Sequence, residues 1–240
     1  MNKKYVLSFG TIGKKQKKYM ASQAVDDVAK IAENLGYKKV LRYQSEIKGV
    51  SSFLDVFLLL KIIFVVPRKS VILYQHPMYF SNKIFGLILR VLKIKEIKTV
   101  VLIHDLNMCR NYSANREKQE LQLLVFARVI ISHNLKMTSM LATKGIQKEK
   151  IIELGIFDYL VSNQKQIARR EDPIRENSVV IAGNLNRCKC GYLYKLIEKD
   201  NIYIDVYGVN FAYADERKKY KKAKYHGFFP ADELPDIITG

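Results

Sequence analysis

The stretch TVVLIHDLNMCR, residues 99–110, decides the fold because β-branched and aliphatic residues run directly into an ionisable pair. A short, continuous apolar run of this kind is typical of a strand that is buried on both faces of a parallel sheet. His104 and Asp105 then stand at the carboxyl end of that strand. Ligands of open parallel sheets bind beyond the carboxyl ends of the strands, so we predict that this pair faces a crevice.

Strand and helix patterns alternate on both sides of this stretch. Helix patterns run from Met20 to Leu35, from Phe53 to Pro67, from Asn82 to Lys93, across residues 117–126 and up to Lys144. The predicted strands up to residue 160 are 5–10, 38–43, 70–77, 99–105, 128–134 and 150–157. The alternation predicts an α/β fold with a parallel sheet covered by helices on both faces, that is, a Rossmann-like domain.

The chain is predicted to hold two domains. The first covers residues 1–160, and a polar, proline-containing segment at residues 161–178 is predicted to be a linker. The pattern restarts in residues 179–240, with strands at 179–185 and 202–208 only, which is marginal for a freestanding domain. Because the chain stops at Gly240 just after an amphipathic stretch, we expect this second domain to be incomplete.

The charge of the chain points to an anionic partner. Its 240 residues carry 41 Lys and Arg against 23 Asp and Glu, a formal charge of +18. Nucleic acid, anionic lipid head groups and phosphorylated substrates are the usual candidates. The basic runs at residues 13–18 and 217–224 are of a kind that usually forms a solvated face, but their density would draw the protein to an anionic membrane. No nucleic-acid-binding signature occurs. The apolar window 53–66 is too short for a bilayer span and predicts a core helix that can touch a membrane.

The cysteines and carboxylates give no metal-site pattern. Three cysteines are too few for a disulfide framework and favour a cytoplasmic protein, and Cys188-Lys-Cys190 has no second ligand pair at metal spacing. No Asp-x-Asp occurs, so the charge of a departing diphosphate would have to be met by cations and backbone amides. Asn184 and Arg187, at the end of a predicted strand, suit that task, with a solvated surface arginine as the alternative.

Other predicted strand ends also carry polar or flexible residues. His76 and His133 stand at two of them. A single histidine there is more often a structural residue that caps backbone groups, but three in one sheet, with His104, make a site as good an interpretation. Gly10 and Thr11 end the first strand, in a turn that tolerates an anion but lacks the third glycine of the dinucleotide fingerprint.

Several segments in order resemble bacterial glycosyltransferases of the GT-B fold. They are VLIHDLNMCR, VIISHNLKMTSMLATKGI, KIIELGIFDYL, VVIAGNLNRC, IDVYG and YHGFFPADELP. The resemblance is to the group that holds galactofuranosyltransferases and the adhesin-modifying glucosyltransferase 3-like enzymes. It implies two Rossmann-like domains facing a cleft, with the nucleotide sugar held mainly by the second domain and the acceptor by the first. Two departures are Arg128, where the family commonly has Asp, and the end of the chain at Gly240.

The resemblance also implies roles for individual residues. Asp105 would be the acceptor-side base or orienter, with His104 as the alternative. The residues implied in donor binding are Gly10, Thr11, Asn184, Arg187, Tyr207 and Gly208.

We therefore expect metal-independent sugar transfer without a cofactor, from a nucleotide-diphosphate sugar to a glycan or lipid-linked glycan hydroxyl. The expected donor is a UDP-linked galactofuranose or glucose. Further expected partners are a second copy of the chain and an anionic membrane surface, on the inner face of the bacterial membrane. The alternatives are a truncated, non-catalytic relative that binds sugar or a partner subunit and, from composition alone, a nucleic-acid-binding protein.

Overall fold

The computed structural model describes residues 3–11, 20–44, 50–78, 80–109, 114–155, 160, 178–188, 190–197, 202–211 and 223–228. Most of the predicted linker and the basic run at residues 13–18 lie outside these ranges, and only the last two residues of the basic run 217–224 lie within them. The described residues form two compact units, and all residues from Leu160 onward belong to the second.

The first unit is built on a parallel six-stranded sheet. Its register pairs consecutive residues of neighbouring strands, for example Val101 with Tyr74 and with Ile130. The strand order is β2-β1-β3-β4-β5-β6. The strands are β1 Lys4–Thr11, β2 Lys38–Gln44, β3 Val71–His76, β4 Lys98–Ile103, β5 Val129–Ser132 and β6 Ile151–Glu153.

Helices connect these strands. They are α1 Met20–Asn34, α2 Val50–Phe64, α3 Asn82–Ile94, α4 Ala114–Phe126 and α5 Leu135–Thr143, with 3-10 turns at Asn107–Cys109 and Lys148–Lys150. Right-handed crossovers in this strand order place α1 on one face and α2 to α5 on the other. In agreement, α2 packs against α3 and α3 against α4. On the α1 side, an apolar groove of about 370 Å³ separates that helix from β3, β4 and β5.

The second unit has a parallel sheet of the order β7-β8-β9. Its elements are β7 Ser178–Asn184, α6 Gly191–Ile197, β8 Tyr203–Val209 and β9 Ala223–Gly227. Ile181, Leu193, Ile204 and Val206 form its core. The prediction of only two strands was wrong, because β9 is short and its half-polar sequence AKYHG follows a basic run.

The predicted elements match the observed ones except at some ends. β4 ends at Ile103, so His104 and Asp105 lie in the loop that follows it rather than in the strand. β6 ends at Glu153, earlier than predicted, and β1 continues through Thr11. Among the described residues, no helix combines the length and the apolar character needed to cross a bilayer.

Candidate active site

A hydrogen-bonded chain links β1, β3 and the loop that follows β4 in the first unit. The Nε2 amide of Gln75, the penultimate residue of β3, donates to the Leu7 carbonyl of β1 at 3.3 Å. That amide orientation leaves Gln75 Oε1 as an acceptor, and His104 Nε2 lies 2.8 Å from it. His104 Nε2 therefore carries the proton, and Nδ1 is the acceptor of the neutral ring.

The His104 imidazole is neutral at physiological pH. Burial, followed by the nearby His133 and His76 rings, lowers the pKa of His104 to about 4. The backbone amide of His104 also donates to the His76 carbonyl at 2.7 Å. The ring is thus fixed in position and in tautomer, but its low pKa makes it a weak proton acceptor.

A buried carboxylate anchors the loop beyond this histidine. Glu120 of α4 is 1% exposed, and its Oε1 lies 2.5 Å from His76 Nε2. The amides of Asn107 and Met108 donate to its two carboxylate oxygens at 3.0 and 2.9 Å. Burial alone would raise the pKa of Glu120, but the bonds from His76 and the two amides outweigh it and lower the pKa. Glu120 is therefore an anion that fixes the 3-10 turn Asn107–Cys109.

Asp105 lies between these two anchored points. Gln75 holds His104 on one side, and Glu120 holds Asn107 on the other. The Asp105 side chain is half-buried. A carboxylate in such a loop, at the carboxyl edge of a parallel sheet, can accept a proton or orient a hydroxyl.

The remaining candidates of the first unit lie along the same edge. His133 follows β5 directly and is close enough to His104 to lower its pKa. Gly10 and Thr11 are the last residues of β1 and pair with Tyr43 and Gln44 of β2. The structure thus brings the carboxyl ends of β1, β3, β4 and β5 to one edge.

In the second unit, Asn184 organises the turn after β7. Its Oδ1 accepts hydrogen bonds from the Asn186 amide at 3.1 Å and from Asn210 Nδ2 at 3.3 Å. The next asparagine repeats the arrangement, because Asn186 Oδ1 accepts from the Cys188 amide at 2.9 Å. The side-chain oxygen of Asn184 is therefore already engaged in shaping the turn.

Arg187 lies in this turn and is exposed. Its guanidinium carbon lies 5.7 Å from the centre of the Tyr194 ring. Tyr194 is itself buried and donates its hydroxyl to the Leu185 carbonyl at 2.7 Å. An exposed guanidinium near a fixed aromatic ring suits recognition of a phosphate group.

Gly208 and Tyr207 of β8 have different surroundings. Gly208 pairs with Gly183 of β7, and a Cβ atom on Gly208 would lie 1.8 Å from the Gly183 carbonyl oxygen. The Tyr207 ring stacks on His226 at 4.3 Å between centroids, and His226 Nε2 lies 2.6 Å from Asp205 Oδ1. Burial, followed by the charge of Asp205, raises the pKa of Tyr207. Tyr207 alternates along β8 with the buried Val206 and thus lies on the opposite sheet face from the core formed with α6.

The sequence pointed to Gln75 only as a polar residue at a strand end, and it did not point to Glu120 at all. Glu120 stands in the polar segment NREKQE, which is typical of a solvated helix face. The available signal was helical spacing, since Glu120 lies one turn before the apolar Leu123 and Leu124. Gln75 was visible as a polar residue inside a buried strand, but its link to His104 depends on strand order.

The described residues contain no group of three or more His, Cys, Asp or Glu side chains arranged to hold a metal ion. Cys188 and Cys190 are free thiols, and the Cys190 thiol lies 3.1 Å from the Asn184 carbonyl oxygen. The groove beside α1 is lined by apolar residues such as Val28, Leu73 and Val100, and includes none of the candidate site residues.

The family of this chain follows from the first unit. The family profile for the N-terminal domain of glucosyltransferase 3-like proteins matches residues 3–156, more than half of the 240 residues. The chain belongs to the glucosyltransferase 3-like family. A relative with 28% identity over 172 residues is the β-1,6-galactofuranosyltransferase WbbI of Escherichia coli K12. The match covers 72% of this chain and 46% of WbbI, so this family member spans about half the length of that relative.

Solved structures with the same fold include nucleotide-sugar proteins. HepE from Anabaena, crystallised in complex with UDP, matches with a TM-score of 0.57 and 14% identity, over 98% of this chain and 71% of HepE. The UDP-GlcNAc 2-epimerase from Methanocaldococcus jannaschii matches with a TM-score of 0.50 and 14% identity, over 97% of this chain and 76% of the epimerase. At such identities the likeness shows the fold alone. The α/β class and the GT-B fold predicted from sequence are confirmed.

Proposed function

We propose that this family member transfers a sugar from a nucleotide-diphosphate sugar to a hydroxyl of a glycan or lipid-linked glycan. The observation that carries the proposal is the position of Asp105, half-buried at the carboxyl edge of a parallel sheet between two anchored points. Membership of the glucosyltransferase 3-like family supports it.

In this proposal Asp105 accepts the proton of the acceptor hydroxyl or orients that hydroxyl for attack. His104, with a pKa of about 4, serves as a positioning residue rather than as the base, because its neutral ring gains a proton only in acid. The leaving diphosphate needs cationic donors, and the exposed Arg187 beside the turn of Asn184 supplies one in the second unit.

The proposed donor is a UDP-sugar, with galactofuranose or glucose as the sugar. Two of the similar proteins support this choice, since WbbI is a galactofuranosyltransferase and HepE was crystallised with UDP. We further propose that transfer needs no metal, and the absence of Asp-x-Asp from the sequence supports this.

A second candidate is a protein that binds a nucleotide sugar or a partner subunit without transferring the sugar. UDP-GlcNAc 2-epimerase has the same fold, so the fold by itself does not distinguish transfer from other chemistry on a nucleotide sugar. Binding of UDP without turnover against any glycan acceptor would favour this candidate.

The test combines a thermal shift with a transfer assay on the chain as it stands. UDP or a UDP-sugar is expected to raise the melting temperature equally with and without a chelator, and a screen of UDP-sugars with glycan acceptors is expected to release UDP. Asp105→Asn should lower turnover by roughly 10²-fold or more while leaving the UDP-induced shift intact. Asp26→Asn, at an exposed aspartate of α1, is the matched control.

The donor side is tested separately. Arg187→Gln is expected to reduce the UDP-induced shift. The control is Arg128→Gln, which changes an exposed arginine directly before β5 and is expected to leave the shift unchanged. If UDP gives no shift and no UDP-sugar is turned over, the proposed function is wrong.

A further inference from the structure

Helix α2 exposes an apolar stripe along one side. Phe64, Phe53 and Phe57 are 79%, 67% and 50% exposed. The positions recur at helical spacing, so they share one face of the helix. The whole stripe consists of Phe53, Val56, Phe57, Leu60, Ile63 and Phe64. A contiguous apolar face of this kind on a protein surface marks a contact site.

The opposite side of α2 is buried against the rest of the first unit. Leu54, Leu58 and Ile62 are buried. Asp55, the sole acidic residue of the helix, points inward, where the Arg42 guanidinium lies 2.8 Å from its Oδ1. Consequently the exposed side of α2 carries no negative charge.

Helix α3 packs beside α2 and adds positive charge. Lys95, directly after α3, donates its Nζ to the carbonyls of Ile62 and Ile63 at 2.9 and 2.5 Å. Five exposed residues lie along the outer side of α3, and no acidic residue occurs between Asn82 and Ile94. The exposed residues are Lys83, Leu87, Arg90, Lys93 and Ile94.

We propose that this α2–α3 surface, formed by the six stripe residues and the five exposed residues of α3, docks on an anionic lipid bilayer. Aromatic and aliphatic side chains enter the boundary between head groups and acyl chains, while adjacent Lys and Arg pair with anionic head groups. The formal charge of +18 acts in the same direction. A second copy of the chain fits less well, because a two-fold contact would bring the cationic α3 side against itself.

The test measures co-sedimentation of the chain with vesicles of phosphatidylglycerol and phosphatidylcholine in equal amounts, and with phosphatidylcholine alone. The chain is expected to bind the anionic vesicles. The variant Phe57→Ser/Phe64→Ser should weaken that binding at least about tenfold without changing the melting temperature. The matched control Val125→Ser/Leu135→Ser changes two apolar residues of α4 and α5 that are 59% and 73% exposed, and should bind like the parent chain.

The contribution of positive charge is tested with Arg90→Gln/Lys93→Gln, which removes two charges from α3. The control, Lys118→Gln/Lys136→Gln, removes two charges from α4 and α5. The first pair should weaken binding to anionic vesicles several-fold more than the second, and added salt should reduce the difference. The proposal is overturned if both α2–α3 variants bind vesicles like their controls. It is also overturned if vesicles do not bind and Phe57→Ser/Phe64→Ser instead dissociates a dimer in sedimentation velocity.

Discussion

The two units carry loops at equivalent carboxyl edges of parallel sheets, but different interactions hold those loops. In the first unit the loop after β4 depends on buried polar groups, namely Gln75 and the His76–Glu120 pair. In the second unit the turn after β7 depends on the engaged Oδ1 of Asn184 and on a glycine pair between β7 and β8.

The loop after β4 and the turn after β7 thus hold their functional side chains in two different ways. A buried polar network rigidifies a loop and fixes tautomers, but it is sensitive to charge and pH. A turn shaped by backbone and amide groups leaves an exposed arginine in place, and it is sensitive to steric change instead. Each loop is therefore expected to respond most strongly to a change in the interactions that hold it.

The largest effect is expected from Gly208→Ala in the second unit. The new Cβ would lie 1.8 Å from the Gly183 carbonyl oxygen, and the backbone φ of 143° there is one that side chains rarely adopt. We expect a destabilisation of about 4 kcal/mol or more. Hydrogen exchange followed by mass spectrometry should show faster exchange in β7 and β8.

Gly191→Ala is the matched control for that substitution. Gly191 starts α6, and a Cβ there would meet no atom within 4 Å. This variant should exchange like the parent chain or more slowly, since alanine favours a helix by about 1 kcal/mol over glycine. If the two variants showed equal hydrogen exchange in β7 and β8, the close contact between Gly208 and Gly183 would not be what limits this position.

The second effect, of about 3 kcal/mol, is expected from Glu120→Gln in the first unit. The variant keeps the shape of the side chain but removes the charge that pairs with His76 and accepts from the Asn107 and Met108 amides. Because the pKa of Glu120 is lowered in the folded state, its contribution is present above the unfolded pKa and is lost as the pH falls through the folded pKa. Urea unfolding at neutral pH measures the loss.

Glu117→Gln on the same helix provides the control. Glu117 lies 3.1 Å from Lys144 in a pair whose side chains are 38% and 44% exposed, so its loss should change the free energy of unfolding by less than about 1 kcal/mol. If both variants were equally stable, the buried carboxylate would not hold the loop as we argue.

Much of the fold followed from the sequence because apolar periodicity dominates it. The continuous apolar runs of β3 and β4 and the spacing of α1 predicted a parallel α/β sheet correctly. The strand β9 was missed because an edge strand need not be apolar, and AKYHG alternates half-buried with exposed residues.

The site was predicted less completely, for a different physical reason. His104 and Asp105 were visible as polar residues at the end of an apolar run. Their supports were not visible, because Glu120 comes from a helix 15 residues after Asp105 and Gln75 from a strand 29 residues before His104. Such pairings depend on strand order, which periodicity does not encode.

The smallest effect is a pH dependence of the free energy of unfolding. We expect His104 to cause it between pH 5 and pH 6.5. The pKa of His104 is about 4 in the folded chain against 6.5 ordinarily, so the unfolded chain binds the extra proton first as the pH falls. Stability should therefore decrease by about 2 kcal/mol from pH 6.5 to pH 5, and should decrease further until the folded pKa is reached.

The measurement is the free energy of urea unfolding at half-unit steps from pH 7.5 to pH 5, for the parent chain and for His104→Gln. The glutamine can still donate toward Gln75 Oε1 but does not titrate, so its curve should be about 2 kcal/mol flatter over this range. The carboxylates are the same in both chains, so their contributions cancel in the difference between the two curves. An unchanged slope in His104→Gln would mean that the imidazole is solvated enough to titrate normally, and the rigid first edge inferred here would be wrong.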